Sequence, residues 1–94
     1  MIMYEIIHVI SFDTIWNNVK SNQEETFKTI TGLEFTYSLE GDYLIPSRTD
    51  YKISKHDVHK AFDMLPLDGP GDINDIVRGP AYVWALLHDT RIKP

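Results

Sequence analysis

Two histidines and an aspartate are spaced so that a single helix could bring them together. With about 100° of rotation per residue, His56, His59 and Asp63 fall on one outward face of a helix. Imidazole nitrogens together with a carboxylate are suitable ligands for zinc or nickel. The segment has no His-Glu-x-x-His arrangement and no evident fourth ligand, which favours a solvated polar face. We therefore predict no metal site and no other cofactor.

The residues that could act as nucleophiles do not form a catalytic pattern. The chain has no cysteine, which excludes a disulfide, a thiolate nucleophile and a thiolate metal site. No serine lies in a Gly-x-Ser-x-Gly turn. His8, inside an apolar run, is more typical of a buried histidine than of a general base. We predict no enzymatic activity and no catalytic residue, and the lack of cysteine favours a cytoplasmic location.

The segment Asp68-Gly69-Pro70-Gly71-Asp72 combines glycines with aspartates, as loops that bind phosphate or calcium do. It has no third glycine and no following Gly-Lys-Ser/Thr. It also has no series of alternating oxygen ligands ending in glutamate. We interpret it as a connection that lets the chain reverse direction.

Basic residues cluster in the middle of an otherwise acidic chain. The formal net charge is −5, which disfavours indiscriminate binding to a polyanion. Residues 47–60 nevertheless carry a net charge of +2, whereas residues 61–77 carry −4. Cations there could contact phosphates while a tyrosine stacks on a base. Nucleic-acid recognition is therefore the alternative function, through Arg48, Tyr51, Lys52, Lys55 and Lys60.

The C-terminal region supplies the candidates for the leading function, a non-catalytic binding or adaptor module. Arginine and aromatic side chains are the residue types that anchor protein interfaces. By residue type alone, the tyrosine and the tryptophan are more often found in a core than on a binding surface. We predict contact with a protein partner, or self-association, through Arg78, Tyr82, Trp84 and Arg91, with His88 and Asp89 close by in sequence.

The most apolar segment, residues 80–87, predicts a central helix. Gly79 interrupts the preceding segment, and Pro80 suits the first turn of a helix, where no backbone N–H is needed. A helix that is apolar nearly all round must be covered on more than one side. The rest of the chain is therefore expected to pack around it.

Two further helices are predicted from apolar spacing. Ser11 or Asp13 can cap a helix that continues to Asn22. Ser54 can cap a second helix, which Pro66 ends. A short turn from residue 72 to 77 precedes the central helix. The apolar stripes of the two helices are Phe12, Ile15, Trp16 and Val19 in the first, and Val58, Ala61, Phe62 and Leu65 in the second.

Alternation between the first two helices predicts strands at residues 26–30, 33–39 and 43–45. Gly32 supplies a tight turn, and Pro46 ends the third strand or places it at an edge. Residues 1–10 fit either a strand or the start of a helix, and they lack the features of a signal peptide. We predict one α+β domain over residues 1–94: a three-stranded antiparallel meander packed by an N-terminal helix and two to three C-terminal helices. No apolar run is long enough to span a membrane.

Four segments of the sequence together resemble a known type of domain. They are Phe27-x-Thr29-x-x-Gly32-x-x-Phe35-x-Tyr37, Ile45-Pro46-Ser47-Arg48, Ile53-Ser54-Lys55-x-Asp57 and Arg78-Gly79-Pro80-Ala81-Tyr82-Val83-Trp84-Ala85-Leu86-Leu87-x-Asp89-x-Arg91-Ile92. In this order they resemble a small bacterial domain with no assigned activity. The resemblance covers residues 26–92 and implies a self-contained module, but it carries over no functional residue.

Overall fold

The first helix has the capping residue and the buried face that its sequence predicts. In the computed structural model, which describes residues 10–94, α1 spans Phe12–Ser21. Ser11 is the N-cap, and its hydroxyl accepts a hydrogen bond from the backbone N–H of Thr14 (3.3 Å). The prediction for residues 1–9 lies outside the described residues. The buried side chains of α1 are Phe12, Ile15, Trp16 and Val19.

Short antiparallel strands form a two-stranded sheet and a three-stranded sheet. β1 (Phe27–Lys28) pairs with β2 (Glu34–Phe35). β3 (Tyr37–Glu40), β4 (Tyr43–Pro46) and β5 (Ile53–Ser54) form the second sheet in that order. The predicted α+β class, with a three-stranded antiparallel sheet packed by helices, is confirmed.

The strands that make up this sheet differ from those we predicted. The continuous strand expected at residues 33–39 is divided at Thr36. The backbone N–H of Thr36 donates to the Ser47 hydroxyl (3.0 Å), and the Thr36 carbonyl accepts from the backbone N–H of Ser47 (2.8 Å). These bonds direct Thr36 to the end of β4. The chain therefore stops pairing with β1 after Phe35 and begins to pair with β4 at Tyr37.

β5 was not predicted from the sequence, which indicated only that Ser54 caps the second helix. Ile53 is fully buried and pairs with Leu44 in β4. Ser54, the second residue of this strand, is also the N-cap of the next helix. A strand of two residues is too short to show alternation, which explains why the sequence pattern did not indicate it.

The two C-terminal helices form as predicted, with a short 3-10 turn between them. α2 spans Lys55–Asp63, and the Ser54 hydroxyl accepts from the N–H of Asp57 (3.0 Å). The 3-10 turn covers Pro70–Ile73 instead of the predicted residues 72–77, because Pro70 begins it, and α3 spans Pro80–Leu87. Within residues 10–94, no helix combines the length and the hydropathy that a bilayer-crossing segment needs.

α3 lies in the core, as its apolar composition predicts. Val83, Leu86 and Leu87 are almost completely buried. Gly79 begins the helix with a left-handed backbone (φ 61°), and a Cβ there would lie 2.5 Å from Ile53 Cδ1. Glycine is therefore favoured here by the backbone conformation, and any side chain would in addition force Ile53 to shift.

The C-terminal tail is packed against α1. Ile92 is fully buried, and its carbonyl accepts a hydrogen bond from the Asn18 side chain (2.9 Å). The side chain of Asn22 donates to the carbonyl of Asn18 (2.8 Å) at the end of the same helix. The tail therefore fixes the position of Arg91 relative to the rest of the fold.

Candidate functional site

The structure places the predicted interface residues in two separate regions. Tyr82 and Trp84 are two residues apart on α3, so their side chains point about 200° apart around the helix. Arg78 lies on the side of Tyr82, and Arg91 lies on the side of Trp84. The expected single surface of these side chains is therefore divided between two sides of α3.

The region around Tyr82 is mostly used for internal packing. The Tyr82 ring contacts the Phe35 ring edge-on at 4.9 Å. The Arg78 guanidinium lies 4.7 Å from the centre of the Tyr51 ring. Burial raises the pKa of the Tyr51 phenol, Tyr82 raises it further, and Arg78 acts in the opposite direction. These contacts leave little of either aromatic face for another molecule.

The region around Trp84 contains an open groove, which we call the α3 groove. It has a volume of about 360 Å³ and lies between the last turn of α3, the residues that follow it, and β1. Its walls combine aromatic rings with both signs of charge. The lining residues are Thr26, Phe27, Lys28, Trp84, Ala85, His88, Asp89 and Arg91.

Trp84 and His88 form a stacked pair on one wall of the α3 groove. Their ring centres are 4.1 Å apart with an interplanar angle of 16°. Nδ1 of His88 lies 2.8 Å from the Trp84 carbonyl oxygen, a contact in which the ring N–H donates when Nδ1 carries the proton. Among residues 10–94, Nε1 of Trp84 is buried without a hydrogen-bond partner. The pair is therefore held in place mainly by stacking and by the one contact to the helix end.

Arg91 also lines the α3 groove and is fixed from several directions. Its Nε and one terminal nitrogen donate to the Asp89 carboxylate at 3.0 and 2.9 Å. The same terminal nitrogen donates to the Thr26 carbonyl (2.9 Å), and the guanidinium lies 3.9 Å from the centre of the Phe27 ring. Hydrogen bonding from Arg91 lowers the pKa of the Asp89 carboxyl and raises the pKa of Arg91 itself. Arg91 is thus a charged side chain with a set orientation.

A second groove adjoins the first at His88. It has a volume of about 440 Å³, and we call it the tail groove. Its lining residues are Leu65, Pro66, Leu87, His88 and Lys93. His88 lines both grooves, so the two openings adjoin at this side chain.

The residues of the predicted nucleic-acid surface all contact other parts of the fold. Lys52 forms an ion pair with Glu40, whose hydrogen bond raises the pKa of the lysine. Lys60 pairs with Asp57 at 3.3 Å. The remaining members are engaged as well: Arg48 donates to the Glu34 carbonyl, Tyr51 is covered by Arg78, and Lys55 lies 5.6 Å from the centre of a Trp16 ring.

The histidines of α2 also have internal contacts. The His59 ring stacks on Phe12 with centres 4.1 Å apart, and its Nε2 lies 3.6 Å from an Asp63 oxygen. His56 lines a wide groove of about 420 Å³ together with Tyr43 and Lys55. Within the part of the chain that the structure describes, no group of three or more histidine and acidic side chains could hold a metal ion.

Sequence reasoning included Trp84 and Arg91 in the interface but not Phe27, Lys28 or Lys93. Phe27 fitted a core strand, and the two lysines had no distinguishing pattern. The association of Phe27 and Lys28 with Arg91 depends on contacts across more than sixty residues of chain, as the Arg91–Thr26 bond shows. No local spacing rule reports such a contact.

Comparison with known proteins gives no match to this chain, whether to a family model, a curated protein or a solved structure. The resemblance noted from the sequence therefore rests on the residue pattern alone.

Proposed function

We propose that this chain is a non-catalytic binding module that contacts another protein through the α3 groove. The observation that carries the proposal is that Trp84 and Arg91 line the same groove. Tryptophan and arginine are the side chains that most often dominate binding energy at protein interfaces. Both also have neighbours that restrict their movement, namely His88 and Asp89.

Restricted side chains favour binding because less conformational freedom is lost on association. Ordering a flexible side chain at an interface costs about 0.5–1.5 kcal/mol. The two bonds from Arg91 to Asp89 and the bond to Thr26 already order the guanidinium in the free chain. Truncating Trp84 at such a site is expected to weaken partner binding by about 2 kcal/mol or more.

The proposal is tested by site-specific photo-crosslinking in cells that naturally express the chain. A benzoylphenylalanine at position 28 lies in the α3 groove, and one at position 20 lies on α1, outside both grooves. We expect position 28 to give a reproducible protein adduct that position 20 does not give. Trp84→Ala should reduce the yield of this adduct. His88→Ala removes only the exposed ring of the stacked pair and should reduce the yield less.

Circular dichroism of each variant confirms that the fold is intact before adducts are compared. Equal adduct yields at positions 20 and 28, or no adduct at position 28, would contradict the proposal. An adduct that persists at full yield in the folded Trp84→Ala variant would show that the tryptophan does not anchor the partner.

Nucleic-acid recognition through Arg48, Tyr51 and the three lysines stays a prediction. The internal contacts of these side chains argue against it, because phosphate binding would have to compete with Glu40 and Asp57. Phosphate contacts make affinity fall steeply and log-linearly with salt. A gel-shift series at low salt with duplex and single-stranded DNA and RNA tests it, and the absence of any shift removes this alternative.

A further inference from the structure

The outer edge of β3 is covered by the residues that connect α1 to β1. β3 is the first strand of the three-stranded sheet, so it pairs with β4 on one side and forms an edge on the other. Tyr37 and Leu39 direct their backbone groups to that edge, because the N–H and C=O of a strand residue point to the same side. Backbone groups at a sheet edge are a template on which another chain can add a strand.

Two hydrogen bonds close this edge. The backbone N–H of Glu24 donates to the Tyr37 carbonyl (2.9 Å), and the backbone N–H of Leu39 donates to Oε1 of the Gln23 side chain (2.9 Å). The amide nitrogen of the Gln23 side chain donates to the Lys20 carbonyl in the last turn of α1 (3.2 Å). One side chain therefore joins the end of the helix to the edge of the strand.

Residues 22–24, which we call the strap, are not a regular continuation of β1. If the register of β1 and β2 continued, the backbone of Gln23 would lie opposite that of Leu39, but Gln23 uses its side chain instead. Glu24 has a left-handed backbone (φ 69°), which is unfavourable for a residue with a side chain. Opening the strap would therefore break the two hydrogen bonds to β3 and relieve the strain at Glu24.

We propose that the strap closes the edge of β3 against strand addition, and that the Gln23 side chain is its closing contact. This inference does not depend on the α3 groove. The open edge would be self-complementary, because an antiparallel pairing centred on Ser38 places Tyr37 of each copy opposite Leu39 of the other. The N–H and C=O groups that now face the strap would then bond to those of a second copy.

Disulfide trapping tests the proposal, since the natural chain has no cysteine. In the pairing centred on Ser38, the Cα atoms of the two Ser38 residues would lie about 4.5 Å apart, a distance that a disulfide can span. Ser38 lines an open groove, so a thiol at this position is accessible. We expect Ser38→Cys/Gln23→Ala to form a disulfide-linked dimer at least about fivefold faster than Ser38→Cys alone, because one hydrogen bond to the edge has been removed.

Two further variants separate the closing contact from other effects. Ser38→Cys/Gln23→Glu keeps an oxygen acceptor for the Leu39 N–H and should form the dimer no faster than Ser38→Cys alone. Ser38→Cys/Glu24→Gly should form it more slowly, because glycine adopts the left-handed conformation without strain. Non-reducing gel electrophoresis of samples oxidised at equal concentration gives the rates, and circular dichroism checks that each variant is folded.

Hydrogen exchange of the Leu39 amide gives a second measurement, which needs no association. Its rate should rise about fivefold in Gln23→Ala, stay within about twofold in Gln23→Glu and fall in Glu24→Gly. Equal rates of dimer formation with and without Gln23→Ala would overturn the inference, as would unchanged exchange in Gln23→Ala. If Gln23→Glu behaved like Gln23→Ala in both measurements, the bond to Lys20 would be the closing contact, and the role proposed for the bond to Leu39 would be wrong.

Discussion

At the scale of single residues, Gly79 combines two requirements that can be separated by experiment. Its φ of 61° disfavours any side chain, and a Cβ would also contact Ile53 at 2.5 Å. Gly41 has the same φ with nothing within 4 Å of the added atom. We expect Gly79→Ala to lower the free energy of unfolding by about 2–4 kcal/mol, and Gly41→Ala by about 1 kcal/mol.

Urea denaturation followed by circular dichroism measures both changes. Gly71→Ala is the control, because its φ is not positive and nothing lies near the added Cβ. It should change stability by less than about 1 kcal/mol, since alanine is compatible with this backbone. Equal losses for Gly79→Ala and Gly41→Ala would show that the Ile53 contact relaxes without a penalty.

Tyr37 is a second residue with a distinct role, because its buried hydroxyl donates to the Val19 carbonyl (2.7 Å). Burial raises the pKa of this phenol well above its usual range. The folded state therefore holds the proton more tightly than the unfolded state does. The resulting stability is complete below about pH 10, the unfolded pKa of tyrosine, and falls as pH rises above that value.

Tyr37→Phe should lower the free energy of unfolding at neutral pH by about 1–3 kcal/mol, because the Val19 carbonyl loses its donor. It should also reduce the loss of stability between pH 10 and pH 11, since the raised pKa is removed. Urea denaturation at each pH gives both values. Tyr43→Phe changes an exposed side chain and is the control; an unchanged alkaline slope in Tyr37→Phe would contradict the assignment.

At the scale of elements, the first turn of α2 depends on Ser54 in two ways. Its hydroxyl accepts from the N–H of Asp57, and its backbone pairs with Tyr43 in the sheet. Ser54→Ala should cost about 1 kcal/mol through loss of the cap. Ser54→Asp should retain most of the stability, because a carboxylate also caps and suits the helix N-terminus. Thermal or urea unfolding separates these outcomes, and equal losses in both variants would point to the strand rather than the cap.

The helices could be predicted from the sequence because their signals are local. Ser11, Ser54 and Pro80 mark helix starts, and the buried faces of α1 and α3 follow their apolar spacing. The strands were harder to predict because their pairing depends on distant groups. The division at Thr36 is caused by Ser47, eleven residues away, and β5 is recognised only by its pairing with β4.

The candidate site was likewise predictable only where the signal was local. Trp84 and Arg91 were predicted from residue type, whereas their separation from Tyr82 follows from the rotation of the helix. Lys28 and Lys93 had no distinguishing pattern in the sequence. In the folded chain, each of them lines a groove that His88 also lines. Residue type therefore indicated which side chains can bind, and tertiary contacts determined which of them share a surface.

At the scale of the whole molecule, the buried side chains of all three helices and both sheets belong to one hydrophobic cluster. Trp16 in α1 and Trp84 in α3 are fluorescent probes of two different parts of this structure. A chain of 94 residues with one core is expected to unfold in a single cooperative transition. The fluorescence of Trp16 and that of Trp84 should therefore change at the same urea concentration.

The measurement uses the variants Trp16→Phe and Trp84→Phe, each with one remaining tryptophan, and compares fluorescence with far-ultraviolet circular dichroism in the same sample. We expect the two probes to give the same midpoint and slope within each variant. The core contacts that support this result include α1 against α2, and α3 against β1. Midpoints that differ between probes in both variants would show that these parts unfold separately, and that the chain is not a single cooperative domain.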